Sequence, residues 1–390
     1  MKILFVHNRY QFAGGEDNVY RSEKYLLQYR SEAVDLCEVD NDGVVGLVSK
    51  IKVVFNISYS QKSRELLSFE INNIQPDIVH VHNFFPLLTP SIYDACIKAN
   101  VPIVQTLHNY RIICPGALLM RNGKICEKCV TGSPYQAVLH RCYRNSVPGS
   151  WAVARMVAFH RKKMTWQNKV DRFIALTQFA RQKFIEAGFP GEKIIVKPNF
   201  CEVPGVRDQT PGMKHGALFV GRLGREKGIA TLLAAWKMLN VPLRIAGDGP
   251  LAYLGTEHRS PSIIFLGRLT SEQVYHEMSQ AAFLVMPSEW YETFGLVIIE
   301  AYAHGTPVVV SKLGAMAEII EDGVTGLHFE PGNPHHLAEK VQWMHDHPEE
   351  CRQMGQNARQ VYEEKYTPEK NYEMLMDVYH QAIEARKVDK

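Results

Sequence analysis

The stretch AAFLVMPSEWYETFGLVIIEAYAHGTPVVVS, residues 281–311, carries one whole step of the fold. AAFLVMPS is a continuous apolar run that closes on Pro287 and Ser288, the pattern of a strand buried on both faces. EWYET reads as a loop. The apolar run from Phe294 or Gly295 reads as a helix that stops at His304-Gly305-Thr306-Pro307, because Gly305 suits the position past a helix end and Pro307 cannot continue one. PVVVS is strand again, so the order of elements predicts a parallel α/β sheet. Glu292 stands just before the helix, beside backbone N–H groups that no helical carbonyl satisfies. Glu300 lies roughly one and a half to two turns inside it. A carboxylate in so apolar a helix is costly unless something bonds it. Side chains lean toward the start of their helix, so both acids can serve a hydroxyl-rich ligand that also carries phosphate. A helix cap plus one solvated acid is the bland alternative.

The same strand pattern recurs along the chain. KILFVHN, DIVHVHN, PIVQTLHN, RFIALT and IIVKPN form one series, and ALFVGR, PLRIAGDG, IIFLGR, AAFLVMPS and PVVVS a second. Segments with helical patterning, such as IATLLAAWKML and TSEQVYHEMSQA, lie between them. Two doubly wound, Rossmann-like domains are predicted, residues 1–200 and 201–367. CEVPGVRDQTPGMKHG, Cys201–Gly216, is rich in Pro and Gly and reads as the linker. A closing helix is expected over about 368–390, with Thr367 as N-cap and Pro368 in its first turn. Ligands of open α/β sheets bind outside the carboxyl ends of the strands. His82, His108, Asn199, Arg222, Gly247–Gly249, Arg268 and Glu292 all fall at such ends, so two substrates can meet across a cleft between domains.

Bulk properties narrow the function. At 390 residues the chain has room for two cores. Its net charge of +3 and its motifs give no support for nucleic-acid binding. No stretch approaches the roughly 20 apolar residues that span a bilayer. MKILFVHN reads as a first strand rather than a signal peptide, which predicts a cytoplasmic protein. Its eight cysteines then read as thiols, metal ligands or redox groups before structural disulfides.

Three further strand exits carry ligand-type residues. GRLGREKG, Gly221–Gly228, follows a strand and opens a helix, where Arg222 and Lys227 can reach an anion. IAGDGP from Ile245 is a glycine-rich exit that also suits a plain tight turn. FLGRL from Phe265 ends a strand in Arg268. Taken in order with MPSEWYETFGLVIIEAYAHGTPVV and GAMAEIIEDGVTGLHFEPGN, this set resembles the donor domain of family 4 glycosyltransferases, which have the GT-B fold. Glu292 and Glu300 match the family's E-x7-E pair.

The resemblance implies roles. Glu300 would bond the ribose hydroxyls of a nucleotide sugar, with UDP the expected carrier. Glu292 would touch the donor sugar, with the backbone N–H groups of Phe294, Gly295 and Leu296 near sugar and phosphate. Arg222 and Lys227 would hold the diphosphate and stabilise the leaving group, with no obligatory catalytic metal. Arg268 and Leu269 would lie by the base, and the closing helix would cross back to the N-terminal domain. Transfer would retain anomeric configuration and deliver the sugar to a glycan or lipid-linked saccharide, as in surface polysaccharide biosynthesis. A GT-B nucleotide-sugar epimerase and a non-catalytic nucleotide- or glycan-binding protein are the rival readings.

In the first half, Gly14 and Gly15 of YQFAGGEDNVY match the family's glycine-rich loop near the donor phosphates. VHVHN puts His80 and His82 on one strand face, where an alternating pair can bind metal or simply pack. His108 of TLHNY matches the family's active-site histidine, although Asn109 stands where the family often has Asp. Phe200 replaces glycine in a Pro-Asn-Gly hinge. Cys114, Cys126, Cys129 and Cys142 give C-x11-C-x2-C-x12-C, which fits either a structural zinc site or reduced thiols in an irregular insertion. SWAVARMVAFHRKKMTWQNKVDRF, from Ser150, mixes aromatics with the basic run Arg161-Lys162-Lys163. It suits a helix packed on the sheet or a peripheral contact with the inner face of an anionic membrane.

Overall fold

The computed structural model describes residues 1–9, 14–42, 46–203, 214–257 and 260–388. The chain divides into two compact units. Met1–Leu119, Cys126–Pro198 and Asn371–Lys390 make the first, Met120–Ile125 and Asn199–Lys370 the second. Most of the stretch read as a linker, 204–213, lies outside the described residues.

The strands in chain order are β1 (Lys2–Arg9), β2 (Ala33–Asp40), β3 (Ile78–Asn83), β4 (Ile103–Thr106), the hairpin β5 (Met120–Arg121) and β6 (Lys124–Ile125), β7 (Arg172–Ala175) and β8 (Ile194–Val196). Then come β9 (Ala217–Val220), β10 (Leu243–Ala246), β11 (Ile263–Gly267), β12 (Phe283–Met286), β13 (Val308–Ser311) and β14 (Gly326–Phe329). The first unit has the sheet order β2-β1-β3-β4-β7-β8, the second β11-β10-β9-β12-β13-β14. Every neighbouring pair in both sheets is parallel. In each sheet the winding reverses once, between β1 and β3 and between β9 and β12. The loops that leave those strands part there, which opens a crevice at their carboxyl ends. The central strands are fully buried, as their unbroken apolar runs require.

Residues 281–311 fold as read. β12 leads through a loop to the helix Leu296–Ala303, and β13 follows. Gly305 has φ +59°; its N–H donates to the Tyr302 carbonyl and that of Thr306 to Ala301, which closes the helix in a Schellman motif. Gly228 marks a tight packing point: at φ +70° a Cβ there would lie 1.9 Å from the Pro287 carbonyl oxygen. Only glycine lets the helix Ile229–Trp236 start against the end of β12.

The closing helix spans Pro368–Val388, and the Lys370 N–H donates to Thr367 Oγ1 at 3.4 Å. From Asn371 onward it belongs to the first unit, where Tyr379 bonds His80 and Arg386 pairs with Asp171. Among the described residues, no helix is long and apolar enough to cross a membrane.

Candidate functional site

In the second unit the site grows from the carboxyl ends of β9 and β12. After β9 the chain passes Arg222 into the 3-10 turn Arg225–Lys227. Lys227 Nζ donates to Glu292 Oε1 at 2.5 Å, and Ser288 Oγ donates to the same oxygen at 2.8 Å. Glu292 is buried, and these two donors fix the orientation of its carboxyl group. Arg222 pairs with Glu226, yet its side chain is 60% exposed and can turn to another anion. The helix Leu296–Ala303 starts from Gly295 at φ +94° with no side-chain cap. Of its first N–H groups, that of Ile298 donates to the Gly295 carbonyl at 2.9 Å, and those ahead of it have no helical carbonyl to reach. Phe294, just ahead, packs its ring against Tyr366 at 5.9 Å. Arg268 is exposed and Leu269 half-buried just past β11, two strands from β9.

Glu300 answers the question that its apolar helix raises. Burial alone pushes its carboxyl up to about 7. Only its backbone carbonyl is engaged outside the helix, by His304 Nδ1 at 2.8 Å. Among the described residues its carboxyl has neither a hydrogen-bond nor an ion-pair partner. The residue is half-buried rather than enclosed, so a ligand diol can bring its two hydroxyl donors to this carboxyl.

In the first unit the polar groups gather at the ends of β1, β3 and β4. Asp17 Oδ2 accepts from the Gly14 N–H at 2.9 Å, and Asp17 Oδ1 lies 2.9 Å from His7 Nε2. Gly15 begins the helix Gly15–Tyr29. Glu16 accepts from Asn109 Nδ2 at 3.1 Å, and burial raises its carboxyl to about 8. His108 Nε2 lies 3.1 Å from His82 Nδ1, and burial pushes the His108 imidazole down to about 3. Both rings line a small cavity with Asn83, Phe85, Asn109 and Arg111. His80 is the packed member of the alternating pair. Its Nδ1 meets the Tyr379 hydroxyl and its Nε2 the Thr106 hydroxyl, each at 2.8 Å.

All four cysteines of the cluster are reduced. Burial, then the neighbouring thiols of Cys114, Cys142 and Cys126, push Cys129 up to about 12. Cys114 is raised by burial, while N–H groups of Leu119, Gly116 and Ala117 directed at its sulfur oppose that rise. A tetrahedral zinc with Zn–S near 2.3 Å needs sulfurs about 3.8 Å apart. Among the described residues, the metal-type atoms found within 4.8 Å of one another belong to Glu23, His80 and His82 instead.

Residues 31–203 match the family described as Glycosyltransferase Family 4, and residues 207–361 match Glycosyl transferases group 1. An uncharacterized glycosyltransferase of Methanocaldococcus jannaschii is 32% identical over a 402-residue alignment covering 98% of each chain. The chain belongs to glycosyltransferase family 4. Its fold is similar to that of Anabaena HepE in complex with UDP-glucose, at 19% identity and TM-score 0.64 over 100% of both chains. It is also similar to sucrose-phosphate synthase from Thermosynechococcus elongatus, at 19% identity and TM-score 0.71 over 98% of this chain and 99% of that one. The fold is GT-B.

This family 4 glycosyltransferase has site residues that sequence reasoning passed over. Glu226 sits inside the quoted GRLGREKG, where a lone acid among three cations signals an internal ion pair. Glu16 and Asp17 directly follow the two glycines, and Lys197 is a charge at the end of the apolar run IIVKPN. Glu23 lies among polar helix residues and carries no local signal.

Proposed function

We propose that this enzyme transfers a sugar, with retention, from a UDP-sugar to a hydroxyl of a glycan or lipid-linked saccharide in surface polysaccharide biosynthesis. The unpartnered, half-buried Glu300 carboxyl carries the reading. Its neighbours Arg222, Lys227, Glu292 and the uncapped helix start at Gly295 support it.

In the proposed reaction Glu300 accepts two hydroxyl hydrogens from the ribose, with Arg268 and Leu269 beside the base. Arg222 and Lys227 exchange their carboxylate partners for diphosphate oxygens. Their charge stabilises the nucleoside diphosphate as the bond to the anomeric carbon breaks, which lowers the barrier without an obligatory metal. Glu292 and the N–H groups of Phe294, Gly295 and Leu296 orient donor sugar and phosphate. His108, with Gly14 and Gly15, contributes polar groups to substrate from the first unit. An oxocarbenium-like centre attacked on the face that the diphosphate leaves gives retention. The UDP carrier is supported by HepE, whose solved complexes hold UDP and UDP-glucose.

Two accessory readings belong here. Cys114, Cys126, Cys129 and Cys142 form a structural zinc site whose sulfurs draw together on the ion. The helix Val147–Lys162 docks the enzyme on an anionic membrane that presents a lipid-linked acceptor.

A thermal-shift and hydrolysis panel of UDP-, GDP- and ADP-sugars, first without metal and then with magnesium, tests the main reading. One UDP-sugar should raise the melting temperature by mass action and slowly release UDP. No shift with any nucleotide sugar would remove the donor assignment, and a product with inverted sugar stereochemistry but no transfer would make the enzyme an epimerase.

A further inference from the structure

The cavity at the carboxyl ends of β3 and β4 is charged on one side. Of the described residues that line it, Arg111 alone carries a permanent charge. Burial pushes both lining imidazoles, His82 and His108, down, so they are neutral near pH 7. Asn83 spends its amide on the Asn8 carbonyl and the Phe85 N–H. Asn109 spends its own on Glu16 and on the backbone N–H of Arg111.

Arg111 is held in place but not satisfied. Its guanidinium lies 4.6 Å from the centre of the Phe85 ring and 5.2 Å from that of Tyr143. Nη1 donates to the Pro115 carbonyl at 2.5 Å. Nε has no hydrogen-bond partner, and among the described residues Nη2 has none either. Those two nitrogens form the edge that meets a carboxylate or phosphate through two parallel bonds. Among the described residues no carboxylate pairs with this guanidinium. Glu16 feels its charge, but burial raises that carboxyl to about 8, so near pH 7 it is mostly protonated and gives no full countercharge. An arginine that served only to pin its loop would leave neither an empty edge nor an unbalanced charge.

We propose that Arg111 selects an acceptor that bears an anionic group, a phosphate or a carboxylate, and that this cavity is the subsite for that group. The anion takes Nε and Nη2 together and supplies the missing countercharge. The two rings already fix the guanidinium, so little side-chain freedom is lost on binding. The diphosphate of a lipid-linked saccharide and the carboxylate of a uronic acid share this chemistry. The role as an acceptor subsite rests on the transferase reading above, whereas the preference for an anion can be measured without turnover.

Ligand-observed NMR titrations of the wild-type enzyme with two matched pairs test it. One pair is methyl glucuronide against methyl glucoside. The other is farnesyl diphosphate N-acetylglucosamine against farnesyl N-acetylglucosaminide. In one pair the anionic member should bind about 10–100-fold more tightly than its neutral partner, the range expected of charge-assisted bonds, and which pair it is identifies the source of the anion. R111Q should lose that preference by weakening the anionic member, and R111K, which keeps the charge without the fork, should fall between. Equal binding within both pairs by wild type would overturn the proposal even if R111Q does not fold. So would a folded R111Q that keeps the preference. Wild-type enzyme that turns over no nucleotide sugar would instead sink the transferase reading and leave the anion site standing.

Discussion

Glu300 couples stability and binding through one carboxyl. Its ordinary value of 4.5 is raised to about 7 by burial. In the unfolded chain the acid ionises above its ordinary value, while the folded protein keeps it protonated until about 7. Wild-type stability is therefore lost as pH rises through that window and is level beyond it. E300Q has no proton to hold. Its stability to unfolding should match wild type near pH 4 and exceed it by pH 8, by on the order of 3 kcal/mol at most. E300Q and E300A should both bind the donor about 10–100-fold more weakly, because charge-assisted bonds to the diol are lost. Titrating both variants by calorimetry at pH 8 checks this. A variant that is more stable and still binds at wild-type strength would show that Glu300 is merely a badly buried acid.

At the scale of elements, legibility followed burial. The runs that became β1, β3, β4, β9, β10, β12 and β13 stand out because both faces are covered, so nearly every residue is apolar. β2 was not read as a strand: AVDLCEVD lies at the sheet edge and buries only Cys37 fully, so its pattern is mixed. β14 was missed although all four residues of GLHF are buried, because Gly326 and His328 break the apolar run that marks the other strands. The donor-side motifs were legible because each lies within a few residues of a strand end. The pair Glu23–Lys197 was not, because its members lie 174 residues apart and only the folded sheet brings them together. The cysteine segment is the opposite case, with loud spacing and little structure. Between Cys114 and Cys142 the regular elements are a two-residue hairpin and the four-residue helix Gln136–Leu139. So short an assembly has little core, and a metal would supply what packing does not. Metal analysis of freshly purified, reduced enzyme should find about one zinc per chain. C129S should lose it and melt lower, by about 2–4 °C for each kcal/mol given up. Zinc-free wild type with an unchanged melting point in EDTA would leave four reduced thiols and no site.

For the whole molecule, what matters is how the enzyme meets its acceptor. The helix Val147–Lys162 buries one face on the first unit, with Val153, Met156 and Val157 inside. Its other face exposes Val147, Trp151 and Phe159, with Lys162 and Lys163 at its end. The helix Gly46–Asn56 adds exposed Ile51 and Phe55 to the same surface. Arg155 ties the two together. Its guanidinium donates to the Val54 and Phe55 carbonyls and sits 5.0 Å from the Trp151 ring. Aromatic side chains beside lysines suit the boundary between acyl chains and anionic headgroups. Each basic residue near such a surface contributes about 1 kcal/mol, so the binding should weaken steeply with salt. The enzyme should co-sediment with phosphatidylglycerol vesicles at low ionic strength and much less with phosphatidylcholine. K162E/K163E should weaken that binding by roughly tenfold or more, by the same charge arithmetic. W151E/F55E should abolish it, and both variants should keep their melting temperature and their activity on a short water-soluble acceptor. Equal binding to both lipids, or full binding by W151E/F55E, would assign the patch to another partner and detach the acceptor from the membrane.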